Sequence, residues 1–441
     1  MSCSLARRQE LSAYQLSDCS HNADNWLSAR SQFASVWVAK WQQVSSAIRH
    51  KVRMPARKFR MRHAKFFIGR IMTRALPSLH RWMPFFDTVQ CMTDVGRMQV
   101  FTESQPVLLS AENCAFASSL PIGIPRHIVR SIVLMELEGV TVLGPTGTII
   151  DEDRGVVLKA RGHDVVTHND FRLVPTRVVH KPDANYFNMM DLHRGYRHYY
   201  HFLLDRLPKL YYLLHRFDLG RDPITVLTNT HLPPFQRDIY GFLAQRFPNI
   251  RFEAVPQGER WRVRRLYDLH NDQPVSHALA SPGFVDFMRN LIIEGYGLAE
   301  PAGQRRLYVS RSDAKLRRIT NESQLLPTLA KQGFEAVLPG TLPLREQVAL
   351  FMGAEAIAGP HGAGLANLLF APSSARVLEI LPSSMLREHY FLLSISMGQA
   401  YRALIGGAAG FLERFAVDPA QVERSLQELM HAPAPLQHVH G

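Results

Sequence analysis

The chain has 441 residues, a formal net charge of +13 and 46% hydrophobic residues, which is ordinary for a soluble globular protein of two or three domains. We expect no membrane-spanning helix and no secretory signal, because no apolar run approaches ~20 residues and the first residues are polar. The four cysteines lack Cys-x-x-Cys spacing, which argues against a zinc site and fits a reducing compartment.

Residues 1–86 carry almost all of the net charge. They hold 15 Lys and Arg against 3 Asp and Glu, and a basic block covers 50–65. Large apolar residues before this block recur at helical spacing: Trp26, Phe33, Trp37, Trp41 and Ile48. The pattern favours contact of 26–81 with an anionic membrane surface, or equally a helix packed on the main body. We expect no nucleic-acid binding, since no nucleic-acid fold surrounds the block.

Residues 87–180 are rich in β signals. Strands are predicted at 130–135 and 140–143, and the segments 148–150 and 156–158 bracket an acidic turn as a candidate hairpin. This region shows no catalytic constellation, and we expect it to shape an acceptor site or to cover a sheet edge.

An α/β rhythm follows, over 224–296 and then more regularly from 305. In the first part, the predicted strands are 224–227, 252–255 and 263–269, and the predicted helices are 234–247 and 282–296. In the second part, the predicted strands are 306–310, 335–338, 355–358, 375–380 and 401–405. The predicted helices there are 321–332, 343–352, 364–370, 387–397 and 418–430. This alternation predicts a parallel sheet covered by helices, with ligands at the carboxyl ends of its strands.

A candidate acid/base pair lies in the segment 197–213. His201 and Asp205 are four residues apart, so they share one face of a predicted helix that is otherwise apolar. They can act as an oriented acid/base pair, and a core histidine bonded to its own carboxylate explains the same pattern. Pro208 is predicted to kink or restart this helix.

A glycine turn at 359–364 is the candidate anion site. Gly362 and Gly364 let the backbone approach a ligand, and the free N–H groups of the following helix favour a phosphate. His361 can donate to a phosphate oxygen or accept a proton, and Asn367 lies just beyond. The spacing matches neither the dinucleotide motif nor the P-loop, and a plain strand-to-helix turn is the alternative.

Basic and hydroxyl side chains follow the first strand of the regular α/β region. Ser310, Arg311, Lys315 and Arg317 can clamp a diphosphate, because a guanidinium binds phosphate in a bidentate manner. Glu379 is a candidate acceptor for ribose hydroxyls, or an ordinary charge at a strand end. The sequence therefore predicts a site for a nucleotide diphosphate at this edge of the sheet.

Three blocks together resemble a known family. They are YYHFLLDRLP (199–208), LYVSRSDAKLRR (307–318) with Asn321-Glu322, and GPHGAGLANLLF (359–370) with its continuation to Glu379. In order and spacing they are similar to glycosyltransferase family 61, in particular its bacterial branch for capsular and other surface polysaccharides. The resemblance covers roughly 100–430. His198 and Phe202 stand where the family often has Asn and Trp.

The resemblance implies an α/β, GT-B-like fold, in which two Rossmann-like domains face a cleft. The predicted domains are a helical basic extension (1–86), an acceptor-side domain with the β-rich segment 87–180 (87–300), and a nucleotide-sugar-binding domain (301–441). It also implies an inverting, metal-independent transfer, without a cofactor, from a nucleotide-sugar donor to a glycan acceptor. Asp205 or His201 would be the base, and Arg311, His361 and the N–H groups of Gly362 to Gly364 would hold the diphosphate.

Two alternative functions and the cellular location of the protein also follow from the sequence. A nucleotidyl- or phosphotransferase would need a Walker-type lysine or a carboxylate cluster for Mg²⁺, and the sequence shows neither. A non-catalytic scaffold of a polysaccharide assembly complex is the second alternative, against which the intact His201/Asp205 and Arg311/His361 sets argue. We expect a cytoplasmic location, with association at the inner face of the membrane as one interpretation of the basic extension.

Overall fold

The protein is seen in a computed structural model, whose described residues lie within one compact unit, Ile68–Gly441. The described residues are 88–91, 96–105, 128–144, 146–159, 177–190, 197–216, 222–271, 281–299 and 304–431. The predicted aromatic helix and basic block lie outside these ranges. The N-terminal extension, its membrane contact and the exact domain boundaries therefore stay predictions.

The first sheet is built from the strands up to residue 271. Its strands are β1 (Thr88–Cys91), β2 (Arg97–Gln105), β3 (Ile128–Glu138), β4 (Thr141–Leu143), β5 (Thr148–Asp151), β6 (Val156–Lys159), β7 (Arg177–Asn188), β8 (Ile224–Thr228), β9 (Ile250–Ala254) and β10 (Glu259–Asn271). Its centre is parallel, in the order β10-β7-β8-β9. β3 and β4 pair with β10 in antiparallel fashion, so the β-rich segment extends this sheet. The predicted hairpin is confirmed by the antiparallel pairing of β5 with β6.

Three helices accompany the parallel strands of the first sheet. Helix α1 starts as an α-helix (Tyr199–His201), passes through a π-helical turn (Phe202–Arg206) and continues as an α-helix (Leu207–Arg216). The other two are α2 (Pro234–Arg246) and α3 (Pro282–Gly295). α3 begins at Ser281, whose hydroxyl accepts the backbone N–H of Phe284 at 3.2 Å, with proline at the first helical position.

The second sheet has five parallel strands in the part of the chain described after residue 304. They are β11 (Arg305–Val309), β12 (Phe334–Val337), β13 (Ala354–Pro360), β14 (Arg376–Pro382) and β15 (Ala400–Gly406). The helices between and after them are α4 (Glu322–Lys331), α5 (Leu344–Met352), a 3-10 helix (Ala363–Phe370), α6 (His389–Ser396) and α7 (Pro419–His431). The alternation predicted from residue 305 is therefore confirmed, as is the mixed α/β class.

The strand order of the second sheet creates a crevice at one place. The order is β12-β11-β13-β14-β15, so the chain turns to one side of β11 for β12 and to the other side for β13 to β15. The loops that leave the carboxyl ends of β11 and β13 consequently diverge, and ligands of open parallel sheets bind at such a switch point. The basic loop after Val309 and the glycine turn after Pro360 both start here.

A shared apolar core joins α1 to the second sheet. Leu203 and Leu207 of α1 belong to the same buried cluster as Leu365 and Leu368 of the 3-10 helix. At its edge, the hydroxyl of Tyr199 donates to Oδ1 of Asn367 at 2.6 Å. The start of α1 is thereby held against the glycine turn.

Candidate active site

The π-helical turn of α1 exposes two polar side chains on a buried helix. The N–H of Leu207 donates to the carbonyl of Phe202, five residues earlier, and such turns are frequent at functional sites. Phe202 and Leu204 are buried, whereas the side chains of His201 and Asp205 are 44% and 31% exposed. The α-helix resumes at Leu207, directly before Pro208, where a restart was predicted, and the π turn precedes it.

His201 and Asp205 form a close pair, with Nδ1 of His201 2.6 Å from Oδ2 of Asp205. An ionised carboxylate only accepts hydrogen bonds, so Nδ1 carries the proton of this contact. Nε2 of His201 is then the nitrogen that can take a proton from a bound hydroxyl. The partial exposure of both side chains distinguishes the pair from a core histidine with a structural partner.

His198 is a third polar group on the same face, one that the sequence analysis gave no role. Its ring centroid lies 4.6 Å from that of His201. Burial lowers the pKa of His198 to about 4, and the neighbouring His201 and the guanidinium groups of Arg317 and Arg311 act in the same direction. These groups come from both halves of the described chain, so the acid/base pair and the arginines of the basic loop all lie close enough to act on His198. The signal for His198 was its position three residues before His201.

His198 should make the folded state sensitive to acid. Because its folded pKa of about 4 lies below its ordinary value of 6.5, the unfolded chain binds more protons between these pH values. The free energy of unfolding should therefore fall as pH drops from 6.5 towards 4, and His198→Gln should flatten this dependence. Urea unfolding of both proteins at pH 7 and pH 5 provides the measurement. Parallel losses in the two proteins would show that His198 does not titrate in this way.

The Arg311 guanidinium lies directly over the glycine turn. A Cβ placed on Gly362 would come within 1.6 Å of Nη1 of Arg311. Nη2 of Arg311 donates to the carbonyl of Leu316 at 3.0 Å, which holds the group in place, and Nε is buried without a partner among the described residues. Burial and the neighbouring Arg317 lower the pKa of Arg311. The guanidinium of Arg311 thus occupies the space that a side chain at residue 362 would fill.

The other glycines of the turn allow β13 and its turn to pack closely against β11. A Cβ on Gly364 would lie 2.8 Å from Cγ1 of Val309, and one on Gly359 would lie 2.8 Å from the carbonyl oxygen of Val309. Both positions let β13 and its turn approach β11. Gly364, predicted as part of the anion site, therefore has a packing reason for lacking a side chain.

His361 is held by a buried carboxylate. Nδ1 of His361 lies 2.5 Å from Oε1 of Glu379, and the hydroxyl of Tyr401 donates to Oε2 of Glu379 at 2.7 Å. Glu379 is fully buried, so both of its oxygens face protein groups. This corrects the expected contact between Glu379 and a ribose: in this geometry the carboxylate orients His361 instead.

The remaining predicted residues divide between structure and surface. Ser310 donates to Oε1 of Glu322 at 2.9 Å, and Asn367 is fully buried with its amide donating to Gln347 at 2.9 Å. Lys315 is exposed. Arg317 has a φ of 58° and lies 3.9 Å, Nε to Oε2, from Glu413. Ser310 and Asn367 thus position the loops, whereas Lys315 and Arg317 can reach a ligand.

A set of aromatic rings connects α1 with the glycine turn. The ring of Tyr200 lies 5.4 Å from that of His389 and 5.6 Å from that of Tyr390. His361 lies 5.3 Å from His389 and 5.2 Å from Tyr390, whose hydroxyl donates to the carbonyl of Gly362. Burial and the charge of Glu379 raise the pKa of Tyr390, which keeps this hydroxyl a donor. Sequence reasoning missed Tyr390, since α6 carries no motif of its own.

The part of the chain that holds these groups is similar to a known protein family. Residues 199–378, which include the π turn, the basic loop and the glycine turn, match the family model Glycosyltransferase 61. Over these residues the chain is similar to that family, which supports a glycosyltransferase. The matched region starts at the first residue of α1 and ends in β14, so it includes both candidate groups.

One curated relative is an enzyme of named activity. The chain is 28% identical over 140 residues to the EGF domain-specific O-linked N-acetylglucosamine transferase of Drosophila melanogaster. The match covers 30% of this chain and a quarter of that protein, which is similar to this chain over that part only.

Two absences hold for the residues that the structure describes. No group of three or more His, Cys, Asp and Glu side chains in them is placed to hold a metal ion. Within the same ranges, no helix is both long enough and apolar enough to cross a membrane. The metal independence of the reaction is a separate matter and stays a prediction.

Proposed function

We propose that the protein is an inverting glycosyltransferase of the GT-B type, with the first sheet on the acceptor side and the second sheet binding a nucleotide sugar. One observation carries this proposal. The fold brings the half-exposed pair of His201 and Asp205 within electrostatic reach of one residue, His198. Arg311 and Arg317, at the switch point of the second sheet, act on the same residue. An inverting transfer needs a base on one side of the anomeric carbon and groups that bind the leaving diphosphate on the other side.

The chemistry follows from this arrangement. A hydroxyl oxygen of the acceptor attacks the anomeric carbon, and the bond from that carbon to the diphosphate oxygen breaks with its electron pair staying on the nucleotide. The hydroxyl attacks from the face of the sugar opposite the nucleotide, and its proton passes to the pair of His201 and Asp205. Arg311, with His361 and the backbone N–H groups at Gly362, stabilises the charge on the leaving diphosphate. In this scheme the arginines take the place of a metal cation.

The proposal also covers the donor sugar, the acceptor and the cellular location. The name of the fly relative makes a nucleotide-activated N-acetylhexosamine the first donor to test. We propose a glycan acceptor in capsular or other surface polysaccharide synthesis, in the cytoplasm, with the basic extension at the inner face of the membrane. A non-catalytic scaffold with a degenerate site is the competing function, and the intact acid/base pair argues against it.

Binding of nucleotides tests the proposal without knowledge of the acceptor. Nucleoside diphosphates and nucleotide sugars should raise the melting temperature, because a ligand of the folded state stabilises it, and a chelator should leave the shift unchanged. Arg311→Ala should weaken the affinity about 10- to 100-fold, the value of charge-assisted hydrogen bonds to a phosphate.

The matched control is Arg305→Ala, at the other end of β11. Arg305 pairs with Glu335 on the surface, Nη2 to Oε2 at 2.8 Å, and should leave the nucleotide shift intact. A protein that no nucleotide or nucleotide sugar stabilises would favour the scaffold over the transferase.

A further inference from the structure

A cavity of about 390 Å³ lies beside the start of α1. Its lining comes from the residue just before α1, from the segment after β8 and from the start of α2: Arg197, Thr230, His231, Leu232, Pro233 and Arg237. This volume lies in the range of small-molecule sites, ~300–1,000 Å³. No residue of the acid/base pair or of the diphosphate clamp lines it, so it is a separate feature.

Among the residues that the structure describes, the lining of this cavity combines basic groups with an apolar side and includes no acidic residue. Arg197, His231 and Arg237 are exposed. Nη1 of Arg237 donates to the carbonyl of Leu232 at 2.8 Å, which fixes the direction of a guanidinium that has five N–H donors. Such a group binds a carboxylate or a phosphate in a bidentate manner. The lining therefore suits a small polar ligand that carries negative charge.

The cavity lies beside α1, at the carboxyl edge of the first sheet. Its segments follow β7 and β8, at the carboxyl edge where parallel sheets bind ligands. Phe235, between the lining residues Pro233 and Arg237, packs its ring 5.3 Å from that of Tyr199 and 5.6 Å from that of Phe202. The cavity is thus built against the helix that carries the acid/base pair and belongs to the first sheet.

We propose that this cavity binds an anionic sugar unit of the glycan acceptor, through a carboxylate or phosphate group held by Arg197 and Arg237. The assignment of this sugar unit to the acceptor rests on the proposed function. The binding of a charged sugar, in contrast, depends only on the cavity. A protein with this subsite selects acidic glycans over neutral ones.

Three probes distinguish charge from sugar and carboxylate from phosphate. Binding of methyl β-D-glucuronide, glucose 6-phosphate and methyl β-D-glucoside to the full chain is measured by calorimetry or by ligand-detected NMR. At least one charged probe should bind about tenfold more tightly than the neutral glucoside, and its affinity should fall with added salt. Whichever charged probe is preferred identifies the anionic group.

Arg237→Gln should abolish this preference for the charged probe, and Arg197→Gln is the second variant in case the first alters folding. Arg246→Gln is the matched control, because Arg246 lies on the same helix and pairs with Glu294 at 2.8 Å, Nη1 to Oε2. Equal binding of charged and neutral probes, or full binding by both cavity variants, would overturn the inference. The nucleotide shift of the same proteins depends on Arg311, so a failure of the proposed function is seen separately.

Discussion

Asp205→Asn should lower turnover of the nucleotide sugar about 10²- to 10⁴-fold, the usual contribution of a general base, while nucleotide binding survives. Oδ2 of Asp205 lies 2.6 Å from Nδ1 of His201, so an Asn can keep the shape of the contact. Its amide takes up no proton, and it no longer fixes the protonated Nδ1 of His201. Turnover is followed as release of nucleoside diphosphate, with water or a supplied sugar as the acceptor.

His201→Gln decides which member of the pair is the base. If His201 takes the proton and Asp205 orients it, the two single variants and the double variant should be about equally slow, because they remove one unit. If Asp205 is the base, His201→Gln should retain more turnover than Asp205→Asn. Asp238→Asn is the control, since Oδ2 of Asp238 also accepts a strong hydrogen bond, from the Tyr296 hydroxyl at 2.6 Å. Turnover near the original rate in Asp205→Asn would place the base elsewhere.

Gly362→Ala should weaken nucleotide binding as much as Arg311→Ala, up to about 100-fold, with little effect on folding. The new Cβ would overlap Nη1 of Arg311, at 1.6 Å, and the flexible guanidinium must move away from the turn. The backbone itself accepts alanine, because Gly362 has an extended φ of 177°. The variant therefore displaces the clamp without removing its charge. Affinity is measured by titration of the nucleoside diphosphate.

A double-mutant cycle shows whether the effect passes through Arg311. In the Arg311→Ala background the methyl group of Gly362→Ala meets no guanidinium, so the second change should have little further effect. Gly241→Ala, on α2, is the control: its Cβ would have no atom within 4 Å. Additive losses in the cycle would mean that the turn contributes to binding independently of Arg311.

The regular part of the fold could be predicted because its sequence periodicity is uninterrupted. From residue 305 onwards each buried strand and each helix has its own apolar pattern, and the observed elements follow it. β7 was missed because Pro182 and Asp183 interrupt it. The structure accommodates them at a shift in register, where Lys181 and Asn185 lie opposite Val263 and Arg265 of β10. A bulge of this kind is set by the partner strand, which a local pattern does not contain.

The sequence indicates where the candidate site lies, but not which of its residues contact a ligand and which contact other protein groups. Turn glycines, a histidine and arginines at strand ends indicate a ligand wherever parallel strands end. Glu379 and Asn367 have the residue types of ligand contacts, yet both are fully buried and bonded to protein groups. Tyr390 joins the site through its ring distance to Tyr200, and His198 through the charges of Arg311 and Arg317, which arise only when α1 meets the second sheet. The same polar side chain serves a ligand or a neighbour, and only tertiary packing decides between them.

The π-helical turn of α1 makes the number of residues in this stretch as important as their identity. Each residue of an α-helix advances about 100° around the axis, so the extra residue of the turn rotates everything before it relative to everything after it. Deleting one residue between Phe202 and Arg206 would restore a regular helix. Either His201 would then point away from the clamp, or the face around Leu207 would leave the core. Insertions and deletions here should be tolerated less well than most single substitutions.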